Sequence, residues 1–170
     1  YAVTSSGTNY CAGGTGITIG LAGSESGVAY QLYNGAAVVG SPVPGTGSSI
    51  SFGTFTASGT YTVLATNSST TCAKNMSGAA TITINSLPVA QTVTSSGSTY
   101  CAGTAGITIG LSNSATGVNY QLYRGSVAAG APVAGTGSDL DFGIMTVAGT
   151  YTVRATDAVS SCSSNMSDQA

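Results

Sequence analysis

The eight residues Gly59–Thr66, with the sequence GTYTVLAT, return 90 positions later as Gly149–Thr156, with the sequence GTYTVRAT. Large and small side chains alternate in both copies, and such a period of two with β-branched residues is typical of a strand that buries one face. The tyrosine, valine and alanine at alternate positions are unchanged, whereas Leu64 becomes Arg154. The unchanged positions are therefore predicted to face the core and the changed position to face water.

The offset of 90 continues without a gap on both sides of this stretch. Of the 80 aligned pairs that join residues 1–80 to residues 91–170, about 45 are identical. A gapless repeat of this length indicates two copies of one autonomous module, because solenoid repeats are only roughly 20–50 residues long. Proline ends strand pairing and stiffens a connection, so Leu87-Pro88 is predicted to be the joint. The expected domains are residues 1–87 and 88–170.

Residues 81–90, which begin with the alternating segment TITIN, have no second copy, because residue 170 is the counterpart of Ala80. The second module is therefore expected to lack its final strand. A sandwich with one strand missing exposes unpaired backbone donors and acceptors along its edge. We expect a strand from beyond Ala170, or one donated by a neighbouring subunit, to complete the module.

Other alternating segments, separated by Gly, Ser and Asn clusters, predict further strands in the first module: Ile17–Leu21, Val28–Tyr33, Ser49–Phe52 and Ala80–Ile84. Comparison of the two copies adds four residues to the predicted core: Val28, Tyr30, Leu32 and Ile50. The pair Asn34-Gly35 predicts a type I′ hairpin, and no segment has the apolar stripe of a helix. Six or seven short strands in about 90 residues predict an all-β module in which two sheets pack face to face.

The GTYTVLAT stretch resembles the sixth-strand motif of immunoglobulin-like and fibronectin-type modules, in which a tyrosine hydroxyl at the sheet corner bonds back to the backbone. Val63 stands where an antibody domain has its second cysteine, and the chain has no Trp. The wider pattern, Tyr-Cys-x-Gly from Tyr10 and Cys-x-x-Asn-Met-Ser from Cys72, resembles the tandem Ig-like repeats of very large surface adhesins of the Bacteroidetes. Those adhesins are exported by the type IX system and are linked in some species to gliding. The resemblance implies two tandem immunoglobulin-like or fibronectin-III-like β-sandwich modules.

The charge content excludes two classes of partner. Only 5% of the residues are charged, and three of them are basic. Three basic side chains cannot neutralise a run of phosphates, so nucleic acid is not an expected partner. The longest apolar runs are far shorter than the ~20 residues needed to cross a bilayer, so membrane insertion is not expected.

The chain lacks the residue types of common active sites. Histidine is absent, so the usual nucleophile–base triads are not available. The carboxylates of one module have no acidic counterpart in the other, and Asp139 and Asp141 are predicted to lie on a solvated strand face, not in a calcium loop. No catalytic residue, metal ligand or cofactor site is predicted, and the chain is not expected to be an enzyme.

Each module has two cysteines at equivalent positions, Cys11 and Cys72 in the first and Cys101 and Cys162 in the second. Four cysteines allow three disulfide connectivities. Pairing within each module, Cys11 to Cys72 and Cys101 to Cys162, repeats with the module and is favoured. Closing about 60 residues would stabilise each module by on the order of 4 kcal/mol in the chain-entropy model. Because disulfides persist in oxidising compartments, the chain is expected to be extracellular, at the cell surface.

Tyr33 and Tyr123 alternate out of phase with the core residues of their strand, so their rings are predicted to be exposed. Aromatic rings on a sandwich face stack on sugars, form contacts between modules or cover a sheet edge. Two functions remain open. The chain is a non-catalytic stalk or fibre segment whose partners are neighbouring repeats or subunits, or it is a binding module for surface glycans or proteins.

Overall fold

The computed structural model describes residues 1–101 and 103–170. They form two compact units, Tyr1–Asn85 and Ser86–Ala170. The boundary expected from the sequence, between residues 87 and 88, lies two residues later than the one between these units. The described residues form strands, turns and loops, and none of them belongs to a helix long and apolar enough to cross a membrane.

Unit 1 contains nine strands: β1 (Val3–Ser5), β2 (Asn9–Cys11), β3 (Ile17–Leu21), β4 (Val28–Asn34), β5 (Ala37–Pro44), β6 (Ile50–Phe55), β7 (Gly59–Asn67), β8 (Ala73–Asn75) and β9 (Ala80–Asn85). One sheet has the order β1-β3-β6. The other has the order β2-β9-β7-β4-β5, with β8 also paired to β7. Neighbouring strands are antiparallel except β2 and β9, which run parallel. The predicted strands are confirmed, and β1, β2, β5 and β8 are additional.

The inward faces of the two sheets form one core. Tyr30, Leu32, Tyr61 and Val63 are each 1% exposed, and they pack with residues of β3 and β9. Fully burying a large apolar side chain contributes about 1.5–3 kcal/mol, so these residues dominate the stability of the module. The predicted inward residues are confirmed, although Val28 and Ile50 are only half-buried.

Unit 2 repeats this architecture with eight strands: β10 (Val93–Ser95), β11 (Ile107–Leu111), β12 (Val118–Arg124), β13 (Val127–Ala128), β14 (Val133–Ala134), β15 (Leu140–Met145), β16 (Tyr151–Asp157) and β17 (Ser163–Asn165). The sheets have the orders β10-β11-β15 and β13-β12-β16-β17, with β14 also paired to β12. Among the described residues, no strand occupies the positions of β2 and β9. Both units are immunoglobulin-like, fibronectin-III-like β-sandwiches.

The tyrosine corner predicted from the GTYTVLAT motif is confirmed in both units. The Tyr61 hydroxyl donates to the carbonyl oxygen of Ala57 at 2.8 Å, and the Tyr151 hydroxyl donates to that of Val147 at 2.7 Å. Each bond spans four residues and ties the loop before the central strand to the core. Burial raises the pKa of Tyr61, with a smaller lowering from its hydrogen bond to Asn34.

The hairpin predicted at Asn34-Gly35 begins one residue later than expected. Asn34 pairs with Ala37, so the two-residue loop is Gly35-Ala36. Gly35 has a φ of 58°, whereas Ala36 is not among the residues of positive φ. A type I′ turn needs positive φ at both loop positions, so that assignment was wrong. Asn34 belongs to the strand, which explains why Arg124 replaces it without changing the turn.

Candidate functional sites at the two ends of each module

The two ends of a module are defined by the course of its central strand. In unit 1 the entry end lies where β7 finishes at Asn67, next to the loop 22–27 that leads into β4. Ala22 donates its N–H to the carbonyl of Ala2 at 3.0 Å, so the module also starts at this end. The exit end lies where β9 finishes at Asn85. One cysteine is located at each end.

Cys11 lies at the exit end, as the last residue of β2. Its neighbour across the parallel pair is Asn85, and the N–H of Ala12 donates to the carbonyl of Asn85 at 2.8 Å. The Tyr10 hydroxyl donates to the carbonyl of Thr56 at 2.5 Å. These bonds fix Cys11 between the last strand and the loop that precedes β7.

Cys101 has the equivalent position in unit 2. The Tyr100 hydroxyl donates to the carbonyl oxygen of Thr146, as its counterpart does in unit 1. The N–H and the hydroxyl of Thr104 donate to the carbonyl of Cys101 at 3.1 and 2.8 Å. The cysteine therefore keeps its position at the exit end, although the strand pair β2–β9 has no counterpart among the described residues of this unit.

Cys72 lies at the entry end, where it closes the turn 68–72. The N–H of Asn67 donates to the carbonyl of Cys72 at 2.9 Å. The side-chain oxygen of Asn67 accepts the N–H groups of Ser69 and Thr70, both at 3.0 Å. An Asn side chain that satisfies the backbone two and three residues later is a standard way to stabilise a turn, and here it fixes the cysteine.

Asp157 stabilises the equivalent turn before Cys162 in unit 2. Its carboxylate accepts the N–H and the hydroxyl of Ser160 at 2.7 and 2.9 Å and the N–H of Val159 at 3.0 Å. These hydrogen bonds, the one from the Ser160 N–H first, stabilise the charged form and lower the pKa of Asp157. The N–H of Asp157 donates to the carbonyl of Cys162 at 2.9 Å, as Asn67 does to Cys72.

The bonding states of the cysteines overturn the pairing expected within each module. Cys11 and Cys162 are disulfide-bonded, whereas Cys72 and Cys101 are free and exposed. The prediction of disulfides from Cys11 to Cys72 and from Cys101 to Cys162 was therefore wrong.

The physical reason is distance. The nine residues of β7 separate the entry end from the exit end, which corresponds to about 27 Å at the rise of an antiparallel strand. Bonded cysteines have Cα atoms only about 4.4–6.8 Å apart. Equal sequence spacing in the two modules placed the cysteines at equivalent positions, but it contained no information on which end of the sandwich each one reaches.

The two entry ends differ in how their cysteine is covered. An open cavity of about 450 Å³ in unit 1 is lined by Cys72, Val28 and Met76. In unit 2 the counterparts are buried: Cys162 is 0% exposed, Val118 6% and Met166 7%. The segment that begins this unit lies close by, since the Ser164 hydroxyl donates to the carbonyl of Pro88 at 2.7 Å. The free cysteine is thus at an uncovered entry end and the bonded one at a covered entry end.

The acidic side chains bond to backbone groups. Asp139 accepts the N–H of Asn113 and Asp141 accepts the N–H of Gly143, both at 2.7 Å, and both carboxylates are exposed. Within residues 1–101 and 103–170, no three His, Cys, Asp or Glu side chains lie close enough together to hold a metal ion. Asp139 therefore connects the loop after β11 to the start of β15, and the bond of Asp141 lies within β15.

Tyr33 and Tyr123 lie on the outer faces of β4 and β12 and are half-buried. Tyr33 pairs across the sheet with Val38, which is 62% exposed. In unit 2 the cross-strand partner of Tyr123 is Ala128, and Val127, 63% exposed, pairs with Arg124. Each module thus carries one half-buried tyrosine on this sheet, and only the tyrosine of unit 1 lies opposite an exposed valine.

A second apolar opening is found in unit 2. A cavity of about 430 Å³ is lined by the side chains of Ile107, Ile109, Met145 and Tyr151, among others. Tyr151 and Ala170 exchange two backbone hydrogen bonds, of 2.7 and 3.0 Å, which reproduce the pairing of the corresponding tyrosine with Ala80 in unit 1. In unit 1 the strand β9 continues from this pair.

No protein-family model matches the chain, and no sequence match to a curated protein was found. Three solved structures are similar over most of its length. The ligand-binding domain of human OSCAR is 14% identical, with 99% of this chain and 96% of that chain covered and a TM-score of 0.41. The fibronectin(III)-like modules of Clostridium thermocellum CbhA are 17% identical, with 98% and 90% covered and a TM-score of 0.46. A cytokine receptor complex is 14% identical, with 91% and 88% covered and a TM-score of 0.32. The sandwich assignment rests on the order and pairing of the strands.

Proposed function

We propose that this chain is a non-catalytic structural segment, two modules of a stalk or fibre in a large extracellular adhesin or filament at the cell surface. The observation that carries the proposal is the division of chemistry along the module. Both copies have a cysteine at the entry end and another at the exit end, whereas their sides have few charged groups. A module whose reactive groups are at its ends is built to be joined in series.

The side-chain chemistry supports a role without catalysis. Proton transfer in enzymes depends mostly on His, Asp, Glu, Lys, Tyr or Cys groups that converge on one cavity. Histidine is absent from the chain, and the first module contains one acidic residue, Glu25. The carboxylate of Glu25 accepts a hydrogen bond from the hydroxyl of Tyr1 at 3.5 Å, at the edge of the module.

An extracellular location is supported by the disulfide, because such bonds persist in oxidising compartments. The resemblance of the Tyr-Cys-x-Gly and Cys-x-x-Asn-Met-Ser motifs to repeats of large Bacteroidetes surface adhesins, exported by the type IX system, points to the same location. Low charge and a surface of Ser, Thr and Gly suit a spacer that contacts mainly its own neighbours, which are the proposed partners.

Immunogold electron microscopy of the source cells tests this role. Antibodies raised against the purified two-module chain are expected to label projections outside the cell, at many positions along each projection. Label confined to the cell interior, or a single label at each projection's tip, would show that the chain is not a serial structural segment.

The open cavity of unit 2 beside Ile109 and Tyr151 supports a further part of this proposal. We propose that a strand equivalent to β9 completes the second module. Ile82 of β9 is 2% exposed in unit 1, and the equivalent space in unit 2 is the open cavity beside Ile109. A strand with the pattern TITIN would place one isoleucine there and would pair its backbone with Tyr151. The next repeat of a serial chain, or a neighbouring subunit, would supply it.

The alternative function, a binding module for surface glycans or proteins, is favoured by the half-exposed Tyr33 and Tyr123. Each ring offers a small apolar surface on its module, and in unit 1 the exposed Val38 opposite Tyr33 enlarges it. Glycan-array and surface-protein binding of the chain tests it, with Tyr33→Ala and Tyr123→Ala as the informative variants and Val159→Ala, at a 95% exposed position, as the control. Saturable binding that both tyrosine variants lose, and the control keeps, would establish this function in place of the stalk.

A further inference from the structure

We infer that the second module binds the second module of another copy of the chain: the turn that carries Val159 inserts this side chain into an apolar cavity of the other copy, beside Arg124. The inference deepens the proposed structural role and rests on it, because it names a surface through which neighbouring chains contact each other. It follows from one exposed side chain, one cavity and two charges, all within unit 2.

The cavity lies where the edge strands of the two sheets of unit 2 come together. β13 is the outer strand of one sheet and β15 is the outer strand of the other. The cavity has a volume of about 290 Å³ and is lined by Val127, Phe142, Ile144, Met145 and Val147, among others. Val127 is 63% exposed, Ile144 57% and Val147 53%. Three large aliphatic side chains are therefore in contact with water at one opening.

Comparison of the two modules shows that these three side chains are special to the second copy. Their counterparts in unit 1, 90 positions earlier, are two alanines and a threonine: Ala37, Thr54 and Ala57. Each difference gives the second module the larger apolar group at an exposed position. Contiguous apolar groups on the surface of a soluble domain mark interaction sites, so the cavity is expected to have an occupant.

Val159 is the side chain that fits this cavity. It is 95% exposed in the turn between β16 and β17, and its counterpart in unit 1 is Ser69. The second module thus has both an aliphatic cavity and an exposed aliphatic side chain where the first module has neither set of large apolar groups. One water needs only ~10–15 Å³, so a volume of about 290 Å³ admits the three-carbon side chain of a valine.

A cation lies beside the cavity. Arg124 lines it and pairs across the sheet with Val127. The aliphatic stem of Arg124 lies against Gly149, where an added Cβ would be 2.9 Å from Cγ of the arginine. Within residues 1–101 and 103–170, the Arg124 guanidinium forms no hydrogen bond and no ion pair. Its charge is therefore available to a carboxylate of another molecule.

An anion lies beside Val159. The Oδ1 atom of Asp157 accepts the N–H of Val159 at 3.0 Å and the N–H and the hydroxyl of Ser160 at 2.7 and 2.9 Å. Since these bonds all use Oδ1, the Oδ2 atom keeps its lone pairs for a further donor. Hydrogen bonds between a guanidinium and a carboxylate are among the strong ones in proteins. The valine with its carboxylate and the cavity with its guanidinium are thus complementary in shape and in charge.

The two surfaces are different, so a contact between two copies leaves one surface of each kind free. A copy whose cavity is filled still presents its own Val159, and the contact repeats from one copy to the next. The surfaces are small, and small interfaces give weak complexes. Copies that are held in one assembly meet at a high effective concentration, so a weak contact of this kind suits neighbouring chains of a fibre.

An NMR titration of two single variants tests the contact. Val159→Ser removes the aliphatic side chain and keeps the cavity, whereas Ile144→Thr alters the cavity and keeps Val159. Each variant introduces the residue type of unit 1 at an exposed position, so folding is expected to be kept. Each variant alone is expected to give amide shifts that do not change with its concentration.

Mixtures of the two variants restore one contact. Addition of unlabelled Val159→Ser to isotope-labelled Ile144→Thr is expected to shift the amides of residues 158–161. With the labels exchanged, the shifted amides are expected at residues 127 and 144–147. Arg124→Gln in the Val159→Ser chain, or added salt, is expected to reduce the shifts several-fold, because each weakens the attraction between the guanidinium and the carboxylate.

The matched control is Val38→Ser, at a position of unit 1 that is 62% exposed. This variant is expected to show the concentration-dependent shifts of the wild type at both surfaces. Equal melting temperatures of all the variants and the wild type are the control for folding.

Three results would overturn the inference. Shifts at the cavity with an unlabelled partner that also lacks Val159 would show that another segment fills it. Shifts in neither mixture would show that the cavity belongs to a partner other than a second copy. Shifts that are unchanged by Arg124→Gln and by salt would remove the charge pairing on which the choice of this occupant depends. Immunogold labelling tests the structural role separately, so the failure of one proposal is distinguishable from the failure of the other.

Discussion

The hydrogen bond of the Tyr61 hydroxyl tests how much the tyrosine corner stabilises the first module. The Tyr61 side chain is 1% exposed, and its hydroxyl donates to the carbonyl oxygen of Ala57 at 2.8 Å. Tyr61→Phe keeps the buried ring and removes the donor, so urea denaturation is expected to show a loss of about 1–2 kcal/mol. An unchanged free energy of unfolding would contradict the role of the corner.

Other predictions concern the stability of the second module. Asp157 has a folded-state pKa below its unfolded value, so its stabilising contribution is present above the unfolded pKa and is lost as pH falls through the folded one. Melting curves are therefore expected to show Asp157→Asn converging on the wild type as pH falls below 4, and a constant difference between them would exclude this linkage. Appending residues with the sequence TITIN after Ala170 is expected to stabilise the second module by about 2 kcal/mol or more, since it buries an isoleucine. Equal stabilisation by an extension with the sequence TSTSN would show that the isoleucines of the added strand do not bind in the cavity of unit 2.

The sequence predicted the core because alternation and comparison of the copies both report on local burial. Unchanged positions such as Tyr61 and Val63 proved buried, and Arg154, which replaces Leu64, proved exposed. The corner bond of Tyr61 was likewise predictable, because donor and acceptor lie four residues apart. These features depend on neighbours within one strand or one turn.

The features that sequence could not supply depend on long-range topology. Cys11 reaches the exit end because β2 pairs in parallel with β9, more than 70 positions later in the chain, and β2 itself is three residues long and carries no alternating signal. The strand β8 is equally short and fully exposed. The turn at Gly35-Ala36 was displaced by one residue because Asn34 still pairs within the strand.

Electron cryomicroscopy of the native assembly is the most direct test of the structural role. We expect density for sandwich modules that repeats many times along each projection from the cell. Modules found at one position only, bound to a ligand and with no further copies along the projection, would contradict the account.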